Sequence, residues 1–252
     1  MRQGDRRTAE AQYHDPALAA FYDWDRPWGP DHDWFVSLVG TAGSVLDLGC
    51  GTGIFTAALA TRGIEAFGVD PAGAMLDIAR TREGGAQVRW VQSDAQVLAL
   101  GQCFDAVVMI GHAFQTLLAR SDRAAVLGVI KRHLAPGGRF FLDSRNPDAR
   151  EWEAWRQADT LRILPHPEHG LVERWNAARE EAPGIIALET HYRLPNGRHL
   201  QALSRLAFPG FDELSGLILA SGLQVDRWAG DASGGPLHPG CPDFIPIGRL
   251  AD

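Results

Sequence analysis

Lysine is all but missing from this 252-residue chain: Lys131 is the single one, and arginine carries the rest of the basic charge. No run of basic residues occurs, and the formal net charge is −7. A surface of that sign repels phosphate backbones, so the composition argues against a nucleic-acid partner. Cysteine is scarce as well. Cys50, Cys103 and Cys241 are too few and too scattered for a disulfide framework or an iron–sulfur motif, which fits a reducing, cytoplasmic setting. No apolar run approaches the roughly 18 residues of a membrane span. The opening residues, MRQGDRRTAE, are charged and lack the apolar centre of a signal peptide. A membrane partner is therefore not expected. What remains is ordinary for a globular core, with 45% hydrophobic and 22% charged residues.

The chain divides by rhythm. Residues 1–40 are polar and then aromatic, and their spacing predicts a helical arm of two short helices broken around Pro27–Pro30. From residue 44 short apolar runs alternate with helical ones: SVLDL, EAFGVD, AQVRWVQSD, FDAVVMIG and PGGRFFLD read as five buried strands. Ser121 is the expected cap of the helix RSDRAAVLGVIKRHL. Alternating strands and helices imply a parallel sheet with right-handed crossovers. After Asn146 the period changes. Residues 150–208 show no helix beyond AREWEAWRQ, and Asn196-Gly197 between two alternating runs signals a hairpin. A small antiparallel insertion follows strand five, and residues 209–252 return to helix, strand, strand. The expected division is an arm over 1–40, a main domain over 41–149 and 209–252, and the insertion over 150–208.

The sharpest local feature is VLDLGCGTG, residues 45–53, an apolar strand ending in Asp47 and then Gly49, Gly51 and Gly53. The dinucleotide pattern G-x-G-x-x-G needs a third glycine that is displaced here. A pyrophosphate beside Asp47 would be repelled, whereas a phosphate-free ligand with an ammonium and a sulfonium would be welcomed. S-adenosylmethionine has that charge distribution, and its carboxylate could use the amides of the loop. Asp70, 19 residues past Gly51, suits ribose hydroxyls, and Asp94 with small Ala95 suits an adenine amino group. Each acid alone could equally be a loop acid or helix cap.

Together, VLDLGCGTG (45–53), GVD (68–70), SDA (93–95), FDAVVMIGHAFQTL (104–117) and LAPGGRFFLD (134–143) make the chain resemble the class I S-adenosylmethionine-dependent methyltransferases. The resemblance implies an α/β, Rossmann-like, seven-stranded and mostly parallel sheet with helices on both faces and an antiparallel last strand near FIPIGRL. It implies an enzyme that uses S-adenosylmethionine, releases S-adenosylhomocysteine and acts on a small-molecule acceptor. The cofactor is expected against Asp47, Gly49, Cys50, Gly51, Asp70, Pro71, Asp94, Ala95 and Ile110, with Tyr22 and Trp28 closing over it from the arm. Cys50 is expected to pack there and not to act as a nucleophile. In catechol-type relatives magnesium is held by acids after strands four and five; strand four here runs into Gly111-His112, so no metal is expected.

On the acceptor side, His112 follows strand four directly and is the candidate general base for an N or O acceptor, with pocket lining as the alternative. Arg145 could hold an anionic substrate group or simply pair with a nearby acid. Tyr13 could touch the substrate or sulfonium, or help staple the arm. His133 near a helix end is explained by the dipole. The pairs His166/His169 and His238/Cys241 lack further metal ligands. The insertion could cap the acceptor or form a homodimer face. Two other functions stay open from the sequence: S-adenosylmethionine chemistry other than methyl transfer, and a silent ligand-binding module.

Overall fold

The protein was analysed as a computed structural model, which describes residues 11–251. The first ten residues of the expected arm lie outside the described residues. The arm contains α1 (Ala11–His14), α2 (Pro16–Ala19), α3 (Tyr22–Asp25) and α4 (Pro30–Val39), four helices where two were expected. Pro16 and Pro30 each open a helix, where the missing N–H costs nothing. Asp15 Oδ1 accepts from Ala17 N and caps the second.

The α/β part then runs β1 (Ser44–Leu48), α5 (Ile54–Ala60), β2 (Glu65–Asp70), α6 (Gly73–Thr81), β3 (Arg89–Gln92), β4 (Phe104–Met109), α7 (Arg120–His133), β5 (Leu134–Leu142) and the two-residue β6 (Ser144–Arg145). It resumes with α9 (Phe211–Ala220), β11 (Leu223–Ala229) and β12 (Asp243–Leu250). The sheet order is β11–β12–β5–β4–β1–β2–β3, with β6 pairing off β12. The neighbours from β3 to β5 are parallel, and β12 is antiparallel to both β5 and β11. The expected seven strands are present, and β6 adds a short eighth. The chain winds outward from β1 to β3 and then jumps back to β4. That reversal opens a crevice at the carboxyl ends of β1 and β4.

Each strand buries both faces. Leu46 and Leu48 of β1, Val107 and Met109 of β4, and Phe140 of β5 pack on one side with Val126 and Ile130 of α7. Val45, Val108 and Phe141 point to the other side, against Phe35 of α4 and Phe55 and Leu59 of α5. The period of two is hidden in sequence because apolar residues serve both faces.

Between these halves lie α8 (Gln157–Thr160) and a four-stranded antiparallel sheet, β7 (Arg162–His166), β8 (Gly170–Ala182), β9 (Ile185–Arg193) and β10 (His199–Ala207). The hairpin at Asn196-Gly197 has Gly197 at φ +83° and joins β9 to β10. The expected helix over AREWEAWRQ is instead a single tight turn, Glu151–Ala154, separated from α8. Ser121 does not cap α7: Ala119 holds that position with no side-chain bond. His133 is buried and links two segments, accepting from Leu100 N at 3.0 Å through Nε2 and pairing with Val129 O through Nδ1. It also lies in the last turn of α7, as the dipole explanation requires. No described helix is long and apolar enough to cross a membrane.

Candidate active site

A cavity of about 330 Å³ opens at the carboxyl edge of the main sheet. Its wall is assembled in chain order from the ends of successive strands: Gly49 and Gly51 after β1, Asp70, Pro71 and Ala72 after β2, Asp94 and Ala95 after β3, and Ile110 to Ala113 after β4. Tyr13, His14 and Tyr22 of the arm close one side. The other runs along Thr116 to Ala119 and Asp122.

The glycine turn is dictated by close approach. Gly49 has φ +72°, and a Cβ there would stand 2.8 Å from Ala113 Cβ. Gly53 has φ +72°, and its Cβ would stand 2.3 Å from the Trp90 ring. The displaced third glycine thus leaves room for Trp90. Asp70 ends β2 with its carboxylate braced by backbone donors, Gly51 N at 2.9 Å and Ala72 N at 2.8 Å. It faces the cavity as a preset acceptor.

Asp47 does something else. The alternation of β1 turns it to the face of Val45, and it is 2% exposed in the layer beneath α5. Thr56 Oγ1 donates to Asp47 Oδ2 at 2.5 Å, and Oδ1 has no partner. Burial pushes its carboxyl up to about 7. Asp47 is therefore not on the cavity wall, whereas Asp70 and Asp94 are. Cys50 also lies off the wall, with Sγ behind the turn: a Cβ on Gly68 would stand 3.0 Å from it. Burial pushes its thiol well above the ordinary range, as suits packing and not nucleophilic attack.

Four of the five loop amides are already used: Gly49 N and Cys50 N both donate to Val69 O, Gly51 N to Asp70, and Gly53 N to Cys50 O. Arg26, which was not singled out in the sequence, does not line the cavity but places its guanidinium 5.8 Å from the ring centroid of Tyr22, which does; its Nε is buried with no hydrogen-bond partner. Among the described residues no carboxylate lies within 4.0 Å of it. Burial pushes the Tyr22 phenol up to about 12, and its ring edge meets Tyr13, centroids 6.1 Å apart. Trp28 stays outside the cavity, stacked on His32 and donating from Nε1 to Asp33.

His112 lies on the cavity wall in the left-handed region, φ +61°. The turn is held by Asp143, whose carboxylate accepts from His112 N at 2.8 Å and Gly111 N at 3.1 Å. The imidazole Nε2 meets Asp243 Oδ1 of β12 at 2.9 Å. Burial raises the Asp143 carboxyl above its ordinary range, and the facing His112 opposes that rise. Neither acid was singled out in the sequence as a partner of His112; Asp243 is 131 residues away. Arg145 is off the cavity wall. It donates to Gln115 Oε1 at 2.8 Å, pairs with Glu151 at 3.2 Å and stacks 5.0 Å above Trp155. Burial lowers its pKa, and the nearby charge of Arg26 works in the same direction. Asn146 Oδ1 accepts from Asp148 N in a turn, and its Nδ2 donates to Cys241 O, fixing the loop before β12. Among the described residues no group of three or more His, Cys, Asp or Glu could hold a metal.

A family profile described as a methyltransferase domain matches residues 45–138. A ubiquinone biosynthesis O-methyltransferase of Pseudomonas paraeruginosa is 35% identical over 204 residues, 69% of this chain and 86% of that one. A cypemycin N-terminal methyltransferase of a Streptomyces species is 38% identical over 104 residues, so the chain spans only 42% of that relative. Among solved structures, the CcbJ methyltransferase of Streptomyces caelestis has a TM-score of 0.76 at 21% identity, covering 93% of this chain and 96% of that one. The CalS10 amino pentose methyltransferase of Micromonospora echinaspora, bound to S-adenosylmethionine, has a TM-score of 0.68 at 24% identity, covering 94% and 98%. At these identities the structures speak for the fold. Glycine turn, strand-end acids and a relative matched over most of its length agree: the chain belongs to the S-adenosylmethionine-dependent methyltransferases.

Proposed function

We propose that the protein transfers a methyl group to a nitrogen or oxygen atom of a small-molecule acceptor, with His112 as general base. When bound, S-adenosylmethionine supplies a methyl group activated by its sulfonium for in-line displacement and leaves as S-adenosylhomocysteine. The cavity fits that group. Asp70 offers a braced carboxylate to the ribose hydroxyls, and Asp94 with Ala95 takes the adenine end. Arg26, beside Tyr22 and with its buried Nε unpartnered, is the counter-charge for the methionine carboxylate, because four of the five turn amides are bonded within the protein. Tyr22 and Tyr13 close over the sulfonium side with their ring faces and edges, where a cation is favoured.

The observation that carries the reading is the placement of His112. A non-glycine residue held in the left-handed region at a cavity wall is a costly conformation, sustained here by two hydrogen bonds to one buried carboxylate. Its ring is thereby presented beside the cofactor turn, where it can remove the proton that an amine or hydroxyl acceptor must lose. The arm and the insertion would form the acceptor's enclosure: Gln115 Nε2 donates to Ala207 O at 2.9 Å and ties β10 to the turn after His112. The similar proteins include an N-terminal methyltransferase and an O-methyltransferase, which supports the N or O assignment. The net charge of −7 favours small molecules over nucleic acid.

Incubation with a small-molecule extract and S-adenosylmethionine should release S-adenosylhomocysteine and give a product heavier by one methyl. His112→Ala should lower that turnover about 10²- to 10⁴-fold while cofactor affinity stays near wild type. Unchanged turnover would remove His112 from the mechanism.

A further inference from the structure

We infer that Asp243 is the positioning residue of the site: it fixes the His112 imidazole with the hydrogen on Nε2, leaving the Nδ1 lone pair as the basic atom. The inference rests on the reading of His112 as base and deepens it. Two carboxylates surround this histidine, and the geometry gives them separate tasks. Asp143 spends both oxygens on the backbone N–H groups of Gly111 and His112, and its nearer approach to the ring is 3.9 Å. It holds the turn. Asp243 Oδ1 lies 2.9 Å from Nε2 and holds the ring. A carboxylate can only accept, so the hydrogen of this bond belongs to Nε2.

The support beneath Asp243 is rigid. Its backbone pairs with Arg145 across β6 and β12, and its N–H donates to Gly230 O at 3.0 Å. Cys241 Sγ donates to Asp243 O at 3.1 Å, and Asn146 fixes the carbonyl of Cys241. The side chain is 13% exposed. An orienting group held this way needs no rearrangement when the ring becomes charged. During transfer the acceptor's lone pair forms a bond to the methyl carbon, the sulfur–carbon pair stays on sulfur, and the acceptor's proton moves to His112 Nδ1. The imidazolium then carries hydrogens on both nitrogens, and Asp243 balances its charge. A residue on the last strand, far from the glycine motif in sequence, thus completes the site.

The test is nitrogen-15 NMR of the full chain labelled at histidine, with S-adenosylhomocysteine bound, so no acceptor is needed. His112→Gln identifies the signal. In the wild type one downfield imidazole N–H, protected from solvent and borne on Nε2, is expected. Asp243→Ala should speed its exchange at least about tenfold, the loss expected for a bond to a charged group. Asp243→Asn, which keeps the shape, should leave the signal but move it upfield. A hydrogen on Nδ1, or a signal unaltered in Asp243→Ala, would overturn the assignment. If the Ala variant does not fold, the same decision falls to Asp243→Asn, in which an unshifted signal is the overturning result. The turnover of His112→Ala is read separately, so the base could fail while the pairing stands, or the reverse.

Discussion

The cavity wall and the inserted antiparallel sheet are built on opposite terms. Along the wall, most groups sit within a few residues of their own strand end, and Asp70 is braced by Ala72, two residues on. In the inserted sheet, contacts join distant segments. Arg174 of β8 pairs with Asp25 at 2.6 Å across 149 residues, and Tyr192 of β9 donates to the same carboxylate at 3.3 Å across 167. Helix α3 spans the two regions: Asp23 bonds Thr52 and Arg82 at the glycine turn, while Asp25 bonds the insertion sheet. The wall is set by residues near each strand end, whereas the inserted sheet is tied down by polar contacts between distant segments.

The comparison can be broken most forcefully at its bridge. Asp25 is 6% exposed and Arg174 14%, and removing one member of a buried pair leaves the other uncompensated. Asp25→Ala should cost about 3 kcal/mol in urea unfolding. A loss below about 0.5 kcal/mol would mean the inserted sheet does not depend on that contact. On the wall, Asp70→Ala removes the acceptor for the turn amides and for the ribose, and calorimetry with S-adenosylhomocysteine should show affinity about 100-fold weaker. Wild-type affinity there would show the ribose assignment to be wrong.

A smaller effect belongs to Asp47. Burial raises Asp47 from 3.8 to about 7, so the folded state retains a proton that the unfolded chain has lost across that window. Its contribution therefore erodes stability as pH rises from about 4 to about 7. Asp47→Asn should gain on the wild type over that range by up to about 1.4 kcal/mol per pH unit. A pH-independent difference would place Asp47 in solvent contact after all. The least effect belongs to Ser121→Ala, expected within about 0.5 kcal/mol because Ser121 makes no cap bond; a loss near 1 kcal/mol would restore the capping role.

The strand-and-helix alternation, the reversed last strand, the Asn196-Gly197 hairpin and the strand-end placement of Asp70, Asp94 and His112 were legible in the sequence. Each depends on local period or on the position of glycine. Asp47 was misplaced because a strand buried on both faces hides which way its one polar residue points. Trp28 and Arg145 were drawn to the site by residue type, yet each found partners beside it. Arg26 was overlooked because nothing local distinguishes a guanidinium with no carboxylate partner among the described residues from one that has it.

The sequence by itself determined the crossover order, the glycine turn and therefore the class of cofactor, since backbone conformation and hydrophobic period act over a few residues. Only the tertiary structure decided that Asp47 turns away from the cavity, that Arg26 lies beside Tyr22 and which carboxylate meets His112. Those depend on distances between segments that the fold brings together, and neither spacing nor composition encodes a distance of that kind.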